Sequence, residues 1–289
     1  MSDPGDINSQ AQGLGPNKGQ QSHLGGGIFY RHWRANEPVR AVILLAHGLG
    51  EHSGRYQGFA EFVGEKGISV VAPDHLGHGA SPGDRTHLQS FNDYLQPLDE
   101  LRELIASWYP GVPCILIGHS MGGLIAARYL LDHQDQFAAA LLSGAALQAA
   151  EPPSAFAMFL ARLFSRWLPK MGMLQLDATQ ISRDPEVVQD YLDDPLVHKG
   201  KASARLVVEL FKEMERVEQD QDKITLPVFV MHGSADAMTT TAGSEAYYRG
   251  ISSSEKSLKI YDGLYHEIFN EPERLEVLGD LAEWIEARL

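Results

Sequence analysis

Several stretches of the chain are apolar without interruption and are bounded by turn residues. Ala41–Ala46 reads AVILLA, and residues 112–117 and 138–142 have the same character. Such runs predict short strands covered on both faces. Residues 27–35, 68–72 (stopped by Pro73), 228–231 and 258–261 complete the predicted strands. Between them, apolar positions recur at helical spacing. Residues 59–65, 95–109, 121–132 and 273–289 are predicted helices, the second ending at Pro110-Gly111.

Strands alternating with helices imply an α/β fold, with a mostly parallel central sheet and helices on both faces. The rhythm breaks once. Residues 145–225 show helical patterns and no strand, punctuated by Pro152-Pro153, Pro169, Asp184-Pro185 and Asp194-Pro195. We therefore expect a core of residues 25–144 and 226–289, interrupted by a helical cap over 145–225. Residues 1–24, rich in Gly, Gln, Ser and Asn, are expected to be a disordered lead.

Composition excludes several classes of function. The 289 residues carry a formal net charge of −14, so a basic nucleic-acid face is not expected, and a neutral substrate is easier to bind than an anionic one. No run approaches the ~18 apolar residues of a membrane span. The first 21 residues lack an apolar core and have Lys18 as their one basic residue, so a cytoplasmic location is expected. The single cysteine, Cys114, lies inside a predicted strand and reads as a buried apolar residue. There is no H-E-x-x-H or paired-Cys pattern, so neither a metal nor a cofactor is expected. His75 and His78 read as loop-bracing residues.

Gly118-His119-Ser120-Met121-Gly122 is the one G-x-S-x-G of the chain. It lies between a predicted buried strand and a predicted helix, where such a turn holds a nucleophilic serine clear of the sheet edge. A serine hydroxyl needs a base, and the base an orienting acid. After the strand at 228–231 comes His232-Gly233-Ser234-Ala235-Asp236. After the strand at 258–261 comes Asp262-Gly263-Leu264-Tyr265-His266. Ser120, Asp236 and His266 thus fall in the order nucleophile, acid, base. Asp262 is the alternative acid, and His232 and His119 are the competing histidines. The oxyanion donors expected are the backbone N–H groups of Met121 and of Leu49, the latter in His47-Gly48-Leu49-Gly50.

These residues resemble the monoacylglycerol lipase family. The likeness is carried by residues 47–56 (HGLGEHSGRY), 74–81 (DHLGHGAS), 118–123 (GHSMGG), 193–196 (DDPL), 233–236 (GSAD) and 261–267 (YDGLYHE), and runs from about residue 24 to the end. The resemblance implies cleavage of a monoacylglycerol, or a similar neutral lipid ester, into glycerol and a fatty acid. It also implies a glycerol end formed by Glu51, Arg55, His119 and Tyr191, although Glu51 and Arg55 could equally pair with each other. A lysophospholipase or general carboxylesterase with the same triad is the alternative, and a non-catalytic lipid-binding protein the remote one.

Residues 155–174 are largely apolar, with Arg162, Arg166 and Lys170 recurring every four residues. On a helix this makes a narrow cationic stripe beside a wide apolar arc. Phe156, Phe159 and Leu163 are expected to line an acyl tunnel. The same helix is expected to touch a membrane or micelle surface transiently.

Overall fold

A computed structural model describes residues 19–149 and 154–289. Pro152-Pro153 and most of the expected disordered lead lie outside the described residues. In chain order the elements are β1 (Gln20–His23), β2 (Phe29–Trp33), β3 (Ala41–Ala46), α1 (Gln57–Gly64), β4 (Ile68–Pro73), α2 (Asn92–Trp108), β5 (Cys114–His119), α3 (Met121–His133) and β6 (Ala139–Ser143). Then come α4 (Ala155–Trp167), β7 (Gly172–Leu174), α5 (Pro185–Asp193), β8 (Ala202–Ser203), α6 (Ala204–Asp220), β9 (Val228–Gly233), α7 (Thr241–Gly250), β10 (Lys256–Tyr261) and α8 (Arg274–Glu286).

The main sheet runs β1-β2-β4-β3-β5-β6-β9-β10. Strands β3 to β6, β9 and β10 are parallel, and β1 and β2 add antiparallel at one edge. This is the α/β-hydrolase arrangement. Strand β3 shows why its sequence is unbroken: Val42, Leu44 and Ala46 enter the core on one face, and Ala41, Ile43 and Leu45 enter the core on the other. Helices α2, α3 and α6 supply the first core and α1 and α8 the second. After β3 the chain turns to β4 on one side, then crosses to β5 on the other. The loops after β3 and β5 therefore meet at the carboxyl edge, the position where open α/β sheets bind ligands.

Three expectations are corrected. Gln20–His23, placed in the unstructured lead, pairs with β2; its polar, exposed residues give no hydrophobic signal. The stretch expected to lack strands contains β7 and β8, paired antiparallel. They are three and two residues long, too short to show alternation. The cationic stripe is also shorter than expected. Helix α4 ends at Trp167, ahead of Pro169, and Lys170 beyond it pairs with Asp84 at 2.6 Å. Among the described residues no helix is long and apolar enough to cross a membrane.

The fold buries several histidines. Burial drives His32 and His75 down to about 3 and His78 to about 4, and His47 also falls well below its ordinary value. The unfolded chain, with ordinary histidines near pKa ~6.5, binds protons that the folded chain refuses. The stability these groups confer is complete above pH ~6.5 and drains away as pH falls toward their folded values, at about 1.4 kcal/mol per pH unit for each. His266, whose pKa is raised, acts in the opposite sense and alone cannot reverse the trend. We expect denaturant unfolding to show a markedly smaller free energy at pH 5 than at pH 7. Replacing His75, whose ring nitrogens have no hydrogen-bond partner among the described residues, with Leu should shrink that difference by about 1–2 kcal/mol. An unchanged difference would contradict this account.

Candidate active site

A single residue, Ser120, separates β5 from α3. Its φ is +55° and ψ −120°, a conformation an L-residue adopts only under constraint. The constraint is visible in its hydrogen bonds. The Ser120 N–H donates to the Ser143 carbonyl at 3.0 Å, and its carbonyl accepts from Gly123, Leu124 and Ala146. Glycine is required on both sides. A Cβ on Gly118 would lie 2.2 Å from the Gly122 carbonyl oxygen, and one on Gly122 would lie 2.0 Å from that of Ala46. Met121 opens α3, so its N–H is among the first-turn donors that have no acceptor within the helix.

The loop after β3 approaches closely: a Cβ on Gly48 would lie 3.2 Å from the Ser120 Cβ. This loop is pinned from several sides. The Gly48 N–H donates to Glu51 Oε1 at 2.6 Å. His47 accepts from the His75 N–H at Nε2 and donates from Nδ1 to the Gly48 carbonyl. Gly50, at φ +81°, offers its carbonyl to the His198 N–H at 2.7 Å. Leu49 sits between these fixed points.

His266 and Asp236 are brought together from the loops after β10 and β9. The His266 Nδ1–H donates to Asp236 Oδ2 at 2.6 Å. Burial would push Asp236 upward, but the His266 charge and the hydrogen bonds from His232 and His266 outweigh it and hold the carboxyl well below the usual range. Burial likewise pushes His266 down, and the Asp236 carboxylate more than reverses it. Asp262, the alternative acid, is exposed and accepts from the Ser234 hydroxyl. The His266 ring lies over Gly144, whose neighbour Ser143 holds Ser120, and 4.8 Å from the His119 ring. His119 is buried and its pKa falls to about 3; its Nδ1–H donates to the Ser143 carbonyl at 3.1 Å.

Glu51 and Arg55 do pair, at 2.8 Å, within a larger set. Glu51 Oε1 also accepts from the Tyr56 hydroxyl. Arg55 forks onto Glu267 through bonds of 2.5 and 2.7 Å, and its guanidinium lies 4.7 Å from the Tyr191 ring centre. Two buried carboxylates thus share one guanidinium. Burial pushes both acids up. The charge of Arg55 and its forked bonds bring Glu267 down to about 2, while Glu51, which also faces the Glu267 charge, stays raised. Tyr191, Leu49 and Gly50 line a cavity of about 500 Å³ whose walls include Leu174, Leu176 and Leu192.

Three tunnel residues are corrected. Phe156, Phe159 and Leu163 are 70%, 62% and 44% exposed, on the outer face of α4. The helix packs inward through Ala161 and Ser165, because small residues allow close approach to α6. Two residues of the site carry no local signal in the sequence, Glu267 and Thr239, whose hydroxyl lies 2.9 Å from Asp236 Oδ2. Glu267, next to His266 in the sequence, is the second carboxylate on Arg55. His232, a competing histidine by sequence, has its Nε2 3.0 Å from Asp236 Oδ2.

Comparison with known proteins agrees with this geometry. A family profile described as "Serine aminopeptidase, S33" matches residues 37–273. The chain is 38% identical to a monoacylglycerol lipase of Mycolicibacterium smegmatis, across 91% of this chain and 94% of that one. It is 32% identical to the human monoglyceride lipase, across 90% and 87%. The crystal structure of Paleococcus ferrophilus monoacylglycerol lipase superimposes with a TM-score of 0.82 at 33% identity, covering 91% of this chain and 99% of that one. The chain therefore belongs to the monoacylglycerol lipase family of α/β-hydrolases.

Proposed function

We propose that the chain hydrolyses monoacylglycerols to glycerol and a fatty acid through an acyl-enzyme on Ser120. The observations that carry this reading are the 2.6 Å bond from His266 to Asp236 and the strained turn that holds Ser120. His266 takes the Ser120 proton as the hydroxyl oxygen attacks the ester carbonyl. Asp236 holds the imidazole with its proton on Nδ1 and stabilises the imidazolium. The N–H groups of Leu49 and Met121 receive the oxyanion, each such donor lowering the barrier by about 3–4 kcal/mol. His266 then protonates the departing glycerol, and water deacylates Ser120 by the same steps reversed.

Glu51, Arg55, His119 and Tyr191 form the polar end for glycerol in this reading. Glu51 and Arg55 serve it chiefly as braces, since their charged atoms are occupied by Gly48, Tyr56 and Glu267. A neutral glyceride fits a site whose carboxylates outnumber its guanidinium better than an anionic headgroup does. Residues 145–225 act as the cap over the core of 25–144 and 226–289. Phe156, Phe159, Trp167 and Leu168 are exposed together, with Arg162 and Arg166 beside them. An apolar face edged by cations suits peripheral, reversible contact with an anionic membrane or a micelle.

Ser120→Ala should lower turnover by about 10⁴-fold or more with the fold intact. Near-normal activity would overturn the mechanism. Among a monoacylglycerol, a diacylglycerol and lysophosphatidylcholine of equal chain length, kcat/KM should be highest for the monoacylglycerol. A preference for lysophosphatidylcholine would favour a lysophospholipase instead. Phe156→Ser with Phe159→Ser should weaken co-sedimentation with anionic liposomes while leaving hydrolysis of a short soluble ester unchanged. Full retention of liposome binding would remove the membrane contact.

A further inference from the structure

His232 is fully buried at the end of β9, and Ser244 is fully buried on α7. They lie on one line with Asp236. The His232 Nδ1 is 2.7 Å from Ser244 Oγ, and its Nε2 is 3.0 Å from Asp236 Oδ2. An ionised carboxylate can only accept, so the His232 proton must sit on Nε2. In the neutral ring Nδ1 then carries a lone pair, and the Ser244 hydroxyl must donate to it. The order of protons along Ser244, His232 and Asp236 is thereby fixed.

The two imidazoles converge on the same oxygen. Asp236 Oδ2 accepts from His266 Nδ1 at 2.6 Å and lies 3.0 Å from His232 Nε2 and 2.9 Å from Thr239 Oγ1, whose hydroxyl also lies 3.1 Å from the Gly144 carbonyl oxygen and 3.3 Å from His232 Nε2. Oδ1 receives the backbone N–H groups of Met238 and Thr239. Five groups able to donate therefore lie around a carboxylate that offers about four lone-pair directions. A group that only satisfied a buried charge could serve at either oxygen. His232 acts at the oxygen that orients His266, and it joins that oxygen to α7.

We propose that His232, its tautomer set by Ser244, is a positioning residue that fixes the Asp236 oxygen used by His266. The proposal rests on Ser120, His266 and Asp236 acting as nucleophile, base and acid. Its consequence is kinetic. Losing one charge-assisted bond at Oδ2 loosens the imidazole and affects the chemical step more than substrate binding.

The test compares His232→Leu, His232→Gln, Ser244→Ala and Ser244→Ala with His232→Leu on a short soluble ester, alongside Ser120→Ala. His232→Leu should lower kcat about ten- to a hundredfold with KM little changed. His232→Gln, whose amide can offer an N–H near the place of Nε2, should recover much of that loss. Ser244→Ala should lower kcat a few-fold (about 2–5) in the native background and add nothing to His232→Leu. Nitrogen-15 shifts should show His232 protonated at Nε2 and not at Nδ1, a readout that stands even where His232→Leu fails to fold. Wild-type kcat in His232→Leu, equal impairment of the Leu and Gln variants, or an Nδ1–H tautomer would each overturn the proposal. Retained activity in Ser120→Ala would instead overturn the triad on which it rests.

Discussion

The passage from β5 to α3 through one residue constrains everything built around it. With no linker, Ser120 must reverse the chain at a positive φ, and the turn must lie so close to its neighbours that Gly118 and Gly122 admit no side chain. The strain is held by four backbone hydrogen bonds, which reach Ser143, Gly123, Leu124 and Ala146. Sheet order does the rest. Because β5 lies beside β3, the loop after β3 is delivered to the serine, and because β6, β9 and β10 follow in order, Asp236 and His266 arrive from the other side.

A second constraint is electrostatic. Arg55 lies between Glu51, on the loop after β3, and Glu267, directly after His266. It therefore ties the loop of the expected oxyanion donor to the loop of the expected base. Removing Arg55 would leave two buried carboxylates uncompensated, commonly at a cost of about 3–5 kcal/mol. The arrangement is consequently stiff where preorganised donors are needed. It is also acidic, which suits a neutral substrate.

The parallel strands were legible because burial on both faces leaves no polar position, as β3 shows. The elbow was legible because its stereochemistry demands particular residues at particular offsets. The Asp236 and His266 loops were legible because each follows a strand. Elsewhere the physics is not local. The Arg55–Glu267 pair spans 212 positions, so no sequence window contains it. Helix α4 is apolar over so wide an arc that its pattern does not say which face packs inward; Ala161 and Ser165 decide that by their size. His232 could be weighed as a base from sequence, but its place as a second partner of Asp236 depends on Ser244, which lies on the following helix.

The central claim is that the strained serine is the group that becomes acylated. Reaction of the intact protein with a fluorophosphonate, followed by peptide mass mapping, tests it most directly. The account predicts one adduct, on Ser120, abolished by His266→Ala. An adduct on another serine, or none on a protein that still hydrolyses the ester, would contradict it.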